Sequence, residues 1–143
     1  MKIVLDTNVL VSGLLSPAGV PGRIVDLVTS ARVIVMFDDR ILAEYREVLA
    51  RPKLRIHPAV AALVLDALEA DGILISAPPL PLQLPDPDDL PFIEVAEAGG
   101  ASAIVTGNAR HFVPLHGKFA TPLLGPADFL RLWMEANPSE SAP

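Results

Sequence analysis

Lys2-Ile3-Val4-Leu5-Asp6-Thr7-Asn8 opens the chain, and Ala103-Ile104-Val105-Thr106-Gly107-Asn108 repeats its design a hundred residues on. Each is a short apolar run without polar alternation that ends abruptly in oxygen-bearing side chains. Such a run suits a strand buried on both faces, the habit of parallel sheets covered by helices. In open α/β sheets the ligand site lies beyond the carboxyl ends of the strands. If these two strands are neighbours, Asp6-Thr7-Asn8 and Thr106-Gly107-Asn108 face each other across the site.

The rest of the chain supplies the alternation such a sheet needs. Helical spacing covers residues 20 to 31, with Ile24, Leu27, Val28 and Ala31 on one stripe, and Val33 to Phe37 reads as a second strand. Asp38-Asp39 opens a helix over about 39 to 50, because a carboxylate accepts bonds from free N–H groups at a helix start. A further helix runs from about Pro58 to Ala70, Gly72 ends it, and Ile73-Leu74-Ile75 reads as a third strand. Residues 77 to 91 hold six prolines, which removes the donors a central strand requires. A helix from about Leu90 to Gly99, a strand over Ser102 to Thr106, a short strand near Phe119 to Thr121 and a helix from about Pro126 to Ala136 complete the pattern. The expected architecture is one α/β domain over residues 1–136 with a central, mainly parallel sheet, and residues 137–143 form a disordered tail.

Composition narrows the class. Over 143 residues, hydrophobic side chains make up 51% and charged ones 20%, as in a globular domain. No apolar run approaches the roughly 18 to 20 residues of a membrane span. The first run meets Asp6 too early for a signal peptide, and cysteine is absent, which rules out disulfide and thiolate chemistry. A cytoplasmic protein is expected. The net charge of −6 argues against holding nucleic acid by bulk electrostatics, but carboxylates gathered around a cation would produce the same deficit.

Three carboxylate sets stand out. Asp6 interrupts an apolar run, so burial without a partner would be costly and a metal would remove the cost. Glu44 sits at the edge of its helix's apolar stripe, between Ile41 and Val48, whereas Glu47 points away. Asp86-Pro87-Asp88-Asp89 places three carboxylates before a helix. Capping explains one of them, and mutual repulsion disfavours the others unless a cation is near. Asp89 and Asp86 are stronger candidates than Asp88, and Glu94 stands one turn into the helix. Oxygen-only ligands point to Mg²⁺ or Mn²⁺. His57, His111 and His116 show no ligand pattern, and His111 and His116 read as loop or surface residues.

These motifs resemble a known family. Ile3-Val4-Leu5-Asp6-Thr7-Asn8-Val9-Leu10 is similar to the opening of PIN-domain proteins. Glu44, within Glu44-Tyr45-Arg46-Glu47-Val48-Leu49, matches their second acidic position. Asp86-Pro87-Asp88-Asp89 through Phe92-Ile93-Glu94-Val95-Ala96 resembles their third motif. Ile104-Val105-Thr106-Gly107-Asn108-Ala109-Arg110-His111-Phe112 resembles their fourth. The subgroup most similar is the VapC-type toxins of bacterial toxin–antitoxin modules. The resemblance implies a three-layer α/β/α sandwich, a Mg²⁺- or Mn²⁺-dependent endoribonuclease acting on single-stranded RNA, a homodimer, and inhibition by a cognate antitoxin protein.

It implies Asp6, Asp89 and Glu44 as metal ligands, with Glu44 or Asp86 accepting a proton from the attacking water. Thr7, Asn8, Glu94, Thr106 and Asn108 are candidates for supporting those carboxylates. Arg51, Lys53, Arg55 and Arg110 are candidates for phosphate contacts. Many PIN domains carry an aspartate where Asn108 stands, and an amide adds no negative charge. That departure puts a second metal in doubt and keeps open an alternative, a weakly active or inactive PIN-fold binding module.

Overall fold

The structure is a computed structural model that describes residues 1–115 and 117–141. Its elements run β1 (Lys2–Leu5), α1 (Thr7–Leu15), α2 (Val20–Thr29), β2 (Ile34–Phe37), α3 (Asp39–Leu49), α4 (Pro58–Asp71), β3 (Ile73–Leu74), α5 (Leu90–Gly99), β4 (Ala103–Val105), β5 (Leu123–Leu124), α6 (Pro126–Ala136) and α7 (Pro138–Ser141). Single 3-10 turns occupy Pro52–Leu54 and Pro87–Asp89, and a longer one Ala109–Leu115.

All five strands are parallel, in the order β3-β2-β1-β4-β5. β1 pairs with β2 on one side and β4 on the other, with Leu5 opposite Val105. The chain therefore grows outward from β1 to β3, then crosses back to β4 and β5. Helix α5, which carries the chain back across the sheet, packs on β1, β2 and β4, while α6 packs against α2. Ile3, Val4, Leu5, Ala103, Ile104 and Val105 are buried, as a doubly covered central pair must be. The architecture is the α/β/α arrangement anticipated above.

Local chemistry explains most boundaries. Asp38 caps α3 by accepting from Ile41 N at 3.0 Å. His57 caps α4, its Nδ1 accepting from Ala59 N at 3.0 Å, which gives that histidine a structural task. Gly22 lets α2 lie against the preceding loop, since a Cβ there would stand 2.1 Å from the Pro17 carbonyl oxygen.

Four features depart from the sequence reading. Thr7–Leu15 is a helix, α1, which that reading left as an apolar run. The second helix ends at Thr29, and Ala31 takes φ 60°, so it closes the turn instead of extending the stripe. The last strand is Leu123–Leu124, and not Phe119–Thr121. The backbone N–H groups of Ala120 and Thr121 donate to Glu97, at 2.7 and 3.2 Å, and cannot join the ladder, whereas Pro122 O accepts from Ile104 N at 2.8 Å. In the expected tail, Pro138–Ser141 form one helical turn and Glu140 pairs with Arg32 at 3.3 Å. Residues 142–143 of that tail, and His116, lie outside the described residues.

Candidate active site

β1 and β4 are the strands at which the order of the sheet reverses, and their carboxyl ends make the cleft where α/β sheets bind ligands. Asp6 follows β1 and is buried, with its N–H bonded to Val105 O at 2.9 Å. Its Oδ2 accepts from Thr106 Oγ1 at 2.6 Å. That hydroxyl in turn accepts from Asn108 N at 3.0 Å, so its proton is committed to Asp6. Asn8 Oδ1 accepts from Gly107 N at 3.2 Å and ties the two strand ends together a second time. The two polar clusters of the sequence therefore do meet.

Helix α3 brings the second carboxylate. Tyr45, fully buried, donates to Leu5 O at 2.5 Å and fastens α3 to the end of β1. Glu44 is thereby held beside the cluster, and its Oε2 accepts from the hydroxyl of buried Thr7. The third carboxylate comes from the proline-rich connection. Asp86 Oδ1 accepts from Asp88 N at 2.9 Å, and Asp89 N donates to Asp86 O at 3.1 Å, which coils the acidic stretch into the 3-10 turn ahead of α5.

The electrostatics show one shared site. Burial pushes Asp6 up, and the Thr106 hydroxyl with the N–H groups of Asn8 and Thr7 at the start of α1 offset part of that. Burial also raises Glu44, the Thr7 bond opposes it, and the charges of Asp6, Asp88 and Asp86 add to the rise. Asp89 is pushed up to about 6 by burial and then by Asp6 and Asp86. Among the described residues, Asp89 Oδ2 is buried without a hydrogen-bond partner, an orphan that native proteins rarely leave. The His111 Nδ1 lies 3.9 Å from it, so His111 stands at the rim of the site and not on a remote surface.

Other candidates fall elsewhere. Glu94 is buried, but Arg40 Nη1 and Leu80 N hold its two oxygens at 2.7 and 2.6 Å. Asn108 serves through its backbone N–H, and its side chain has no hydrogen bond among the described residues. Arg51, Lys53, Arg55 and Arg110 are all exposed, and Arg51 pairs with Glu47 at 2.9 Å. A cleft of about 470 Å³ opens beside Glu44 between α3 and the start of α5, with Arg40, Glu47, Arg51, Asp88 and Phe92 in its walls. Arg40 and the Tyr45 hydroxyl escaped the sequence reading, since one looked like an ordinary first-turn residue and the other like core.

Among the described residues, no group of three or more His, Asp or Glu side chains stands ready-made around a metal position. The orphaned Asp89 oxygen, with Asp6 and Glu44 as charged neighbours, nonetheless fits a hard cation in chemistry: oxygen donors, excess negative charge and restricted water.

The family model described as PIN domain matches residues 2–110. An uncharacterized protein of Methanocaldococcus jannaschii is 33% identical over 111 residues, which cover 76% of this chain and 71% of that protein. The chain belongs to the PIN-domain family, whose members are generally nucleases, that is, hydrolases. No described helix is long and apolar enough to cross a membrane.

Proposed function

We propose that this protein is a Mg²⁺- or Mn²⁺-dependent endoribonuclease that cuts single-stranded RNA. The observation that carries the reading is Asp89 Oδ2, buried and, among the described residues, without a hydrogen-bond partner, while Asp6 and Glu44 press their charge on it. Asp6, Asp89 and Glu44 would hold the cation. Once bound, it would supply a water of lowered pKa and offset charge on the scissile phosphate.

The chain's own residues prepare that chemistry. Thr106 and Thr7 orient Asp6 and Glu44 through their hydroxyls. Asp86, exposed ahead of the turn that carries Asp89, would accept a proton from that water. Arg51, in the wall of the cleft beside Glu44, and Arg110, two residues beyond Asn108, offer phosphate contacts, with Lys53 and Arg55 further along the first of these stretches. RNA as substrate, a homodimer, and service as the toxin of a toxin–antitoxin module follow from the motif resemblance, and a cytoplasmic setting from the composition.

A second reading, a PIN-fold binding module with little or no turnover, draws support from the neutral Asn108 and from the lack, among the described residues, of a ready-made three-ligand group. Incubation of a mixed single-stranded RNA pool with wild type and Asp6→Asn, in Mg²⁺, Mn²⁺ and EDTA, separates the two. Cleavage that needs metal and vanishes in the variant is expected. No cleavage by folded, antitoxin-free wild type with either metal would favour the binding module.

A further inference from the structure

The segment 76–85 joins β3 to the acidic turn, and four of its residues, Pro78, Pro79, Pro81 and Pro85, have no N–H to donate. Ala77, Leu80, Leu82 and Leu84 rest on the core only partly buried. Among the described residues, a single hydrogen bond links this stretch to any other element: Leu80 N to Glu94 Oε2, at 2.6 Å. Its acceptor is a carboxylate whose side chain is only 1% exposed. Such a charge is tolerable only when paired, and the pairing comes from Arg40, whose Nη1 lies 2.7 Å from Oε1.

Arg40 is itself held. Its Nε and Nη2 reach Asp38 Oδ2 at 2.8 and 2.7 Å, while the other oxygen of Asp38 caps α3. One chain of bonds therefore runs from the start of α3 through Asp38, Arg40 and Glu94 to Leu80. Among the described residues, the backbone downstream of Leu80 has no other hydrogen bond to another element until the Asp86–Asp89 turn, which is bonded internally and, through Leu90 N to Pro87 O, to the start of α5. The turn carries Asp86 and Asp89, and its angle onto the site depends on what anchors its N-terminal side.

We infer that Arg40 is a positioning residue. By neutralising Glu94 so that it can hold Leu80, it anchors the proline-rich segment and sets Asp86 and Asp89 against Asp6 and Glu44. Its effect on metal holding rests on the nuclease reading above, but its effect on the segment does not.

The test compares amide hydrogen exchange and Mn²⁺ titration in the full chain as wild type, Arg40→Met, Arg40→Lys and Glu94→Gln. In Arg40→Met, the Leu80, Asp88 and Asp89 amides are expected to exchange about ten-fold faster or more, while those of β1 and β4 keep their wild-type rates. Arg40→Lys should recover part of the protection. If Arg40→Met does not fold, Glu94→Gln, which leaves one acceptor oxygen for two donors, should speed the same amides. Mn²⁺ affinity should fall about ten-fold in the variants whose loop amides are fast. Wild-type rates at Leu80, Asp88 and Asp89, equal acceleration throughout the sheet, or fast loop amides with unchanged Mn²⁺ affinity would each overturn the inference. A wild type that takes up no Mn²⁺ would instead sink the metal reading, and the amide comparison alone would then decide whether Arg40 anchors the segment.

Discussion

The hydroxyl of Thr106 lies 2.6 Å from Asp6 Oδ2 and joins two residues 100 positions apart at the ends of adjacent strands. Because Asn108 N donates to that same hydroxyl, the threonine can turn its proton only toward the carboxylate. Thr106→Val keeps the shape and removes the donor. It should cost about 1–3 kcal/mol of stability by leaving buried polar atoms unmatched, and weaken Mn²⁺ binding about ten-fold. Thermal denaturation and Mn²⁺ titration check the two effects, and unchanged Mn²⁺ affinity would show that Asp6 needs no such support.

Asp89→Asn removes the charge that burial and the neighbouring carboxylates oppose. Without metal at pH 7 the variant should be more stable than wild type, by on the order of 1–2 kcal/mol once solvent screening of this part-buried group is allowed for. Saturating Mg²⁺ should raise the wild-type melting temperature and leave the variant nearly unmoved. A variant less stable than wild type without metal would mean that Asp89 is not repelled in its site.

The same residue sets a pH dependence. The folded value of Asp89, about 6, stands above its ordinary 3.8, so between these the folded chain binds more protons than the unfolded one. Stability from this group is then highest below about 4, falls as pH rises to about 6, and levels off beyond. Melting curves of metal-free wild type against Asp89→Asn should diverge across that window, wild type losing ground as pH rises. Parallel curves would contradict the assignment. Apparent Mn²⁺ affinity should climb over the same interval, as the proton leaves.

Tyr45→Phe tests the fastening of α3 to β1. Loss of the O–H that reaches Leu5 O at 2.5 Å in a fully buried setting should cost about 1–3 kcal/mol in chemical denaturation. Cleavage should fall with it, because Glu44 is carried on the neighbouring position. Full activity in a destabilised Tyr45→Phe would show that Glu44 is placed by Thr7 alone.

Arg51→Ala addresses the cleft beside Glu44. If Arg51 meets a phosphate, the variant should bind single-stranded RNA more weakly and reduce the slope of log affinity against log salt by about 0.7, whatever the RNA sequence. An unchanged slope would return Arg51 to its surface pair with Glu47.

The acidic motifs were legible because each combines a residue type with a place. Asp6 and Thr106 end apolar runs, Glu44 borders a stripe, and Asp86 to Asp89 precede a helix. Helix α1 was not legible, because Val9 and Leu10 are buried and Val11 and Leu14 half-buried around much of its girth, which blurs the helical period. The last strand was misplaced because the Glu97 carboxylate, a residue more than twenty positions away, claims the donors of Ala120 and Thr121.

By itself, the sequence determined the alternation of strands and helices, the parallel sheet, the family and which carboxylates are candidates, since periodicity, capping and strand-end chemistry are properties of short stretches of chain. Only the tertiary structure decided that β1 and β4 are neighbours, that Tyr45 locks α3 to β1, that Asp89 keeps an orphaned oxygen, and that Glu94 turns from the site to Arg40 and Leu80. The reason is physical. Those outcomes depend on burial and on partners distant in sequence, and a carboxylate's environment exists only once the chain has closed around it.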